Sequence, residues 1–142
     1  MFNFNSTYKI MFIYQSCNIY FYSLSVKMGI DRIDNYLALF GFGSNAILDF
    51  PEASSGLLPT REWKRETRGL PWYPGDTLNL GIGQGDILVT PLQLAAAIST
   101  IANRGKWIAP RMLKSGSDLL ADSTVPVMEN IDIPSAHVWD YV

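Results

Sequence analysis

The spacing of apolar side chains predicts two consecutive helices in the first third of the chain. A helix over residues 16–28 presents an apolar surface and ends at Gly29. A second, over 31–40, repeats apolar residues at i, i+3, i+4 and i+7, with Asp31 as the N-cap and the glycines at 41 and 43 as the stop. The apolar positions are Ile19, Tyr22, Leu24 and Val26 in the first helix and Ile33, Tyr36, Leu37 and Phe40 in the second.

The best-organised stretch predicts a helix over residues 91–104. Thr90 is placed to act as the N-cap, and Pro91 falls at the first helical position, where its missing N–H is not needed. A stripe of larger apolar residues runs along this helix, and its three alanines allow close packing. Arg104 and Gly105 close it. The stripe consists of Leu94, Ile98 and Ile101.

The remaining segments predict shorter or irregular structure. Residues 44–59 contain prolines and a Ser-Ser-Gly run, which indicate an extended and looped chain. Residues 60–66 predict a short exposed helix capped by Thr60, with its charged residues forming a solvated face. Ser135 is placed to cap a final helix over 135–142, and the absence of a stop signal there leads us to expect a chain cut off in mid-helix.

Composition narrows the class of protein without assigning a function. Apolar residues make up 48% of the 142 residues, enough for the core of one domain. The net charge is −2 and no cluster of Lys and Arg is present, so nucleic acid is not expected as a partner. One cysteine excludes an internal disulfide. No window reaches the ~18 apolar residues of a membrane span, and we expect neither an anchor nor a cleavable signal.

Two short motifs near the N-terminus are typical of serine acyl transfer. Ser6 and Lys9 form an S-x-x-K motif, and Ser16 and Asn18 form S-x-N around Cys17. A hydroxyl is a weak nucleophile that needs a neighbouring base, and positions i and i+3 share one face of a helix. The two motifs are only ten residues apart. A deletion, a frameshift or a chance match of S-x-x-K would each explain that spacing.

The alternating glycines at 81, 83 and 85 do not form a dinucleotide-binding loop. The pattern G-x-G-x-x-G would require glycine at position 86, which is Asp86, and no strand–helix–strand spacing surrounds it. The glycines are expected instead to let the backbone pass close to another chain segment or to a substrate.

From Ser16 onward, the sequence closely resembles the elongation-type class B peptidoglycan D,D-transpeptidases of the penicillin-binding protein 2 family. The resemblance covers residues 16–142 in consistent order, whereas residues 1–15 match poorly apart from S-T-Y-K. It implies an α+β fold, a partial penicillin-binding transpeptidase domain of the serine β-lactamase-like type, with this part mainly α-helical. The segments that carry it are SCNIYFY, MGIDRI, LPTREWKRE, PWYPGDTLNLGIGQGDILVTPLQLA and IANRGKWIAPRML.

The resemblance also implies roles for the motif residues. Ser16 relays protons near the leaving amine and Asn18 holds the amide of the substrate. Ser6 and Lys9 would be the nucleophile and its base. A third motif, K-[ST]-G on a strand, binds the substrate carboxylate in this family. Lys114-Ser115-Gly116 has the right letters but is followed by Ser-Asp-Leu-Leu, which indicates a loop, so we expect the true third motif to lie beyond Val142.

No cofactor is expected, and the cysteine is interpreted as unmetallated. Some members of the family use a cysteine at the position of Cys17 as a zinc ligand together with upstream Asp and His residues. Tetrahedral zinc needs four ligands. His137 matches none of the partners, so we expect no metal site in this chain.

Two functional hypotheses follow. The first is a portion of a peptidoglycan D,D-transpeptidase that is not catalytically complete by itself; its family acts on stem peptides, is acylated by β-lactams, lies at the periplasmic face of the inner membrane and works with a polytopic glycosyltransferase. The alternative is a non-catalytic interaction module or an inactive product of a disrupted gene. On either hypothesis, residues 16–142 form a truncated transpeptidase domain behind a divergent segment, residues 1–15.

Overall fold

The computed structural model describes residues 11–45, 52–111 and 130–131. These residues form five helices, preceded by a helical turn at 11–14, and they contain no β-strand. One isolated antiparallel bridge, between Leu57 and Leu88, pairs extended backbone in this part of the chain. The helices are α1 (Asn18–Met28), α2 (Ile30–Leu39), α3 (Arg61–Arg68), α4 (Pro74–Gly81) and α5 (Pro91–Ala102). None of them has the length and apolar character needed to span a bilayer.

The chain divides into two compact units. The first comprises Met1–Ile33 and Pro59–Asp86, and it contains α1, α3 and α4. The second comprises Asp34–Leu58 and Ile87–Val142, and it contains α5. Helix α2 begins in the first unit and ends in the second.

In the first unit, α1 packs along α4 through a very close approach of Ser25 and Gly81. Ser25 is buried, and a Cβ atom placed on Gly81 would overlap the Cβ atom of Ser25. Glycine is therefore required at position 81 by contact with a neighbouring segment, as the sequence predicted. Gly83 and Gly85 have positive φ angles of 71° and 87°, so they serve the turn after α4 instead.

In the second unit, the side chain of Gln93 joins three segments. Its Nε2 donates to the carbonyl oxygens of Ser44 (2.9 Å) and Ser55 (2.8 Å) and, at 3.3 Å, to that of Gly41. Its Oε1 accepts from the backbone N–H of Thr90 at 2.9 Å, and Gln93 is only 4% exposed. One buried amide group thus hydrogen-bonds to the backbone of two loops and of a helix start.

Three predicted helix ends are confirmed, whereas the predicted start at 16 and the predicted ends at 66 and 104 each lie two residues from the observed Asn18, Arg68 and Ala102. Helix α1 ends at Gly29, whose N–H donates to the carbonyl of Ser25. Thr60 caps α3 and Thr90 caps α5, each accepting a hydrogen bond from the backbone N–H three residues later. The helix predicted over 135–142 lies outside the described residues.

The apolar stripe predicted along α5 is largely exposed, whereas the close packing that its alanines were expected to allow is confirmed. Leu94 and Ile98 are 52% and 59% exposed, and the buried face carries small and polar residues. These small side chains let the backbone of α5 approach its neighbours closely, while Gln93 is buried because its hydrogen bonds are satisfied. The buried residues of this helix are Gln93, Ala96, Ala97 and Thr100.

Two predictions about charged residues are also wrong. Asp31 does not cap α2, because α2 begins at Ile30; its carboxylate instead accepts a hydrogen bond from Arg61 Nε at 2.8 Å. The charges of α3 are not all solvated, since Lys64 is buried and paired with Asp76. Asp76 lies on α4, a helix that the sequence pattern did not predict.

Candidate functional site

The S-x-N triplet forms a joint between the helical turn at 11–14 and α1. The N–H of Ser16 donates to the carbonyl of Ile13 (3.1 Å), and the N–H of Cys17 donates to that of Phe12 (3.0 Å). Ser16 has a φ angle of +50°. Two such bonds around a left-handed residue define a Schellman motif, which ends one helical turn just where Cys17 becomes the N-cap of α1.

An aromatic contact spans this joint. The rings of Phe12 and Tyr20 are stacked with centroids 4.8 Å apart and planes 15° from parallel. Phe12 precedes the triplet and Tyr20 lies in the first turn of α1, so the contact constrains the angle between the two helical segments. Such a pair stabilises by ~0.5–1.5 kcal/mol beyond its buried area. Tyr20 also makes an edge contact with Phe21 at 5.3 Å.

Ser16 and Asn18 are both exposed, whereas Cys17 is half-buried. The side chain of Cys17 makes no capping hydrogen bond to the first turn of α1. A hydroxyl and a carboxamide are therefore both exposed at the start of a helix. Each can both donate and accept hydrogen bonds, so the pair can bind an amide group and pass a proton.

Replacing Ser16 with glycine is expected to stabilise the protein, because the left-handed conformation costs a residue with a Cβ atom about 1–2 kcal/mol. The greater freedom of glycine in the unfolded chain offsets part of this gain, which leaves ~0.5 kcal/mol. Urea denaturation followed by circular dichroism measures the change. The control is Ser23→Gly, in the helical interior of α1, which should lose ~0.5–1 kcal/mol. Equal losses in both variants would contradict the assigned strain.

The other predicted catalytic residues lie outside the described part of the chain. These are Ser6 and Lys9. The rejected motif at 114–116 and His137, which was given no role, also lie outside it. Among the described residues, no group of three or more His, Cys, Asp or Glu side chains is arranged to hold a metal ion.

A buried ion pair supports the helices behind this joint, and no local sequence signal predicted it. Lys64 Nζ donates to Asp76 Oδ2, and the side chains of the two residues are 6% and 26% exposed. The same carboxylate oxygen accepts from the backbone N–H of Tyr73 at 2.7 Å, which caps the start of α4. Twelve residues separate the partners, so only the folded chain brings them together.

The pKa of Asp76 is lowered from its usual value. Burial of the carboxyl opposes this, but the hydrogen bonds from Lys64 and from the Tyr73 backbone outweigh it, together with the positive charges of Lys64 and Arg68. The ionised form is therefore the one that the first unit stabilises. This contribution is present above the ordinary pKa of an aspartate and is lost as the pH falls through the lowered value.

Comparisons with known proteins show which family this chain matches. Residues 4–141 match the penicillin binding protein transpeptidase domain. The chain is 38% identical over 133 residues to the peptidoglycan D,D-transpeptidase MrdA of Salmonella typhimurium, an alignment that covers 92% of this chain and 21% of that protein. The chain thus spans about a fifth of the length of this relative.

Solved structures agree with the sequence match. PBP2 of Pseudomonas aeruginosa, determined in complex with WCK 5153, superimposes with a TM-score of 0.79 at 43% identity, covering 90% of this chain and 29% of that one. PBP2 of Helicobacter pylori, determined in complex with MreC, gives a TM-score of 0.63 at 36% identity, covering 66% and 18%.

The resemblance predicted from the sequence motifs is confirmed by these matches. The described helices are part of the penicillin-binding transpeptidase fold. The chain belongs to the penicillin-binding protein transpeptidase domain family, and it corresponds to a portion of a peptidoglycan D,D-transpeptidase domain of the penicillin-binding protein 2 type.

Proposed function

We propose that this chain supplies the S-x-N part of the acyl-transfer site of a peptidoglycan D,D-transpeptidase, which cross-links the stem peptides of the cell wall. The observation that carries the proposal is the exposure of Ser16 and Asn18 at the start of α1, in a stretch that matches the family.

Each residue has a defined role in the proposed reaction. The hydroxyl of Ser16 accepts a proton from one group and donates its own to the leaving amine, since a hydroxyl can do both. The carboxamide of Asn18 donates to and accepts from the amide of the substrate. The residues that match the family's nucleophile and its base are Ser6 and Lys9, which lie only ten residues before S-x-N.

The helices are proposed to form the helical part of an α+β domain, whose sheet would back the site. Residues 16–142 are proposed to belong to this domain, and the family match extends toward the N-terminus as far as residue 4. β-Lactams are proposed to acylate the same serine as the stem peptides do.

The proposed setting is the periplasmic face of the inner membrane, alongside a polytopic glycosyltransferase of the elongation machinery. The structure of the Helicobacter pylori relative with MreC supports a partner from that machinery. Since the chain spans about a fifth of its Salmonella relative, these partners are proposed for the protein in its assembled transpeptidase context.

Labelling of the purified 142-residue chain with a fluorescent penicillin tests how much of the site it contains. We expect no stoichiometric adduct, because S-x-x-K lies only ten residues before S-x-N and the sequence around Lys114 does not predict a substrate-binding strand. By resemblance to the family, a backbone N–H near that strand completes the oxyanion hole, and loss of oxyanion stabilisation alone costs ~10²–10³ in rate. Stoichiometric labelling that is abolished by Ser6→Ala would show a catalytically complete site. Labelling that survives both Ser6→Ala and Ser16→Ala would indicate non-specific reaction.

A further inference from the structure

The buried ion pair of Lys64 and Asp76 connects α3 to the start of α4. Lys64 Nζ lies 4.9 Å from the centre of the Tyr73 ring and 5.8 Å from that of Trp72, so its charge is enclosed by a carboxylate and two aromatic faces. Trp72 is itself held by its Nε1, which donates to Thr77 Oγ1 on α4 at 2.9 Å. The first turn of α4 is thus fixed by charge and by directed hydrogen bonds.

The other end of α4 fixes α1. Gly81, the last residue of α4, lies against the buried Ser25, and the closeness of this contact allows no side chain at position 81. Ser25 is seven residues from Asn18 along one continuous helix, a rise of ~10 Å. A rigid helix transmits a displacement at Ser25 to its own N-terminus, where the S-x-N triplet lies.

We propose that Lys64 and Asp76 are positioning residues for the S-x-N triplet: their ion pair sets the placement of α4, and α4 sets the placement of α1 through Gly81 and Ser25. The assignment rests on the proposed function of Ser16 and Asn18, since it names what the positioning is for. Neither Lys64 nor Asp76 touches substrate in this account.

An ion pair suits this task better than an apolar contact would. The Lys64 side chain is 6% exposed and that of Asp76 is 26% exposed, so desolvation of the lysine offsets much of the attraction, and the pair contributes orientation more than net stability. The Lys64 ammonium and the carboxylate of Asp76 must face each other, whereas apolar side chains tolerate sliding. The pair therefore restricts α3 and α4 to one relative position.

Cys17 provides a direct readout of this placement. It is the only cysteine of the chain, it is half-buried, and it lies between Ser16 and Asn18. The rate at which Ellman's reagent labels its thiol, divided by the rate in denaturant, reports the local structure of the triplet. It does so whether or not the protein reacts with penicillin.

The experiment compares five variants of the full chain. Lys64→Met and Asp76→Asn each break the pair, and Lys64→Met with Asp76→Asn removes both charges. The Asp76→Asn change keeps an acceptor for the Tyr73 N–H, and Asp76→Glu keeps the charge. The control is Arg61→Met, which breaks the exposed Arg61–Asp31 pair on the same helix.

In Lys64→Met and in Asp76→Asn, we expect the Cys17 thiol to be labelled at least tenfold faster than in the wild type. In Arg61→Met the labelling rate should stay within twofold of the wild type, and in Asp76→Glu it should return toward the wild-type rate. The decisive variant is the double one. Its helix content and urea midpoint should return to wild-type values, while its Cys17 labelling remains at least tenfold faster than in the wild type. A merely structural role of the pair would restore both the stability and the labelling rate. Wild-type labelling in the double variant, or equal acceleration in Arg61→Met, would overturn the proposal.

The outcome is independent of the proposed chemistry. If the Cys17 labelling rates do not change as expected, penicillin labelling still tests the role of Ser16. If penicillin labelling does not depend on Ser16, the Cys17 labelling rates remain valid. They would then describe a structural coupling between α3 and α1.

Discussion

Replacing Gln93 with leucine is expected to destabilise the loops around it by on the order of 3 kcal/mol. Leucine matches glutamine in size but removes the N–H groups that satisfy the carbonyls of Gly41, Ser44 and Ser55. It also removes the acceptor for the N–H of Thr90. Each buried polar group left without a partner costs ~1–3 kcal/mol, although loops that can open to water recover part of this.

Hydrogen exchange at the bridge between Leu57 and Leu88 measures this effect locally. Both amides are hydrogen-bonded there, at 2.8 and 2.9 Å, and the carbonyl of Leu88 lies close to Gly56 beside Gln93. A loss of ~3 kcal/mol should accelerate their exchange about 100-fold. Gln84→Leu is the matched control, since Gln84 is exposed, and it should leave these rates nearly unchanged. Acceleration below about fivefold in Gln93→Leu would show that the three carbonyls do not depend on this side chain.

Replacing Gly81 with alanine is expected to destabilise the packing of α1 on α4 by ~2–3 kcal/mol. The added Cβ atom would overlap the Cβ of Ser25 and lie 2.6 Å from its Oγ. Ser25 is buried and its hydroxyl donates to the carbonyl of Tyr22, so it has little room to move away. The clash must be relieved by separating the two helices, and overpacking a tight contact typically costs ~1–3 kcal/mol.

Gly75 provides a matched control within the same helix. A Cβ atom there would meet nothing within 4 Å, so Gly75→Ala should be neutral or stabilise α4 by up to ~1 kcal/mol. Ser25→Gly should partly rescue Gly81→Ala by vacating the space. Urea denaturation followed by circular dichroism compares the variants. Equal stability of Gly81→Ala and Gly75→Ala would rule out the close approach as a constraint.

The capped starts of α3 and α5 were predictable from sequence because capping depends on local chemistry. Thr60 and Thr90 cap their helices through bonds that reach only three residues ahead, and Pro91 suits a first helical turn. The buried face of α5 was not predictable in the same way. It is chosen by what packs against the helix, and Gln93 becomes a core residue only when distant loops bring their carbonyls to it.

Helix α4 was missed because its sequence has weak helix propensity. Its eight residues, PGDTLNLG, include two glycines, an aspartate, an asparagine and a threonine. Contacts from Lys64 and Ser25, which are distant in sequence, stabilise it instead. Propensity is a weak prior that such tertiary contacts override.

For the site, the sequence predicted the residues of the S-x-N triplet but not its geometry. The motif letters and the family segments around them identify Ser16 and Asn18. The left-handed conformation of Ser16 could not be predicted from the sequence, because glycine usually occupies that position of a Schellman motif. The serine therefore occupies a strained position that glycine would fill at lower energy.

A segment exchange tests most directly whether Ser16 and Asn18 take part in acyl transfer. Residues 16–111 of this chain would replace the aligned segment of the Pseudomonas aeruginosa relative, to which this chain is 43% identical. The acylation rate by fluorescent penicillin would be measured for the exchanged protein and for its Ser16→Ala, Asn18→Ala and Ser23→Ala variants. We predict that the exchanged protein is acylated, that Ser16→Ala loses ~10²–10⁴ in rate, and that Ser23→Ala is unaffected. An acylation rate unchanged by both Ser16→Ala and Asn18→Ala would contradict this prediction.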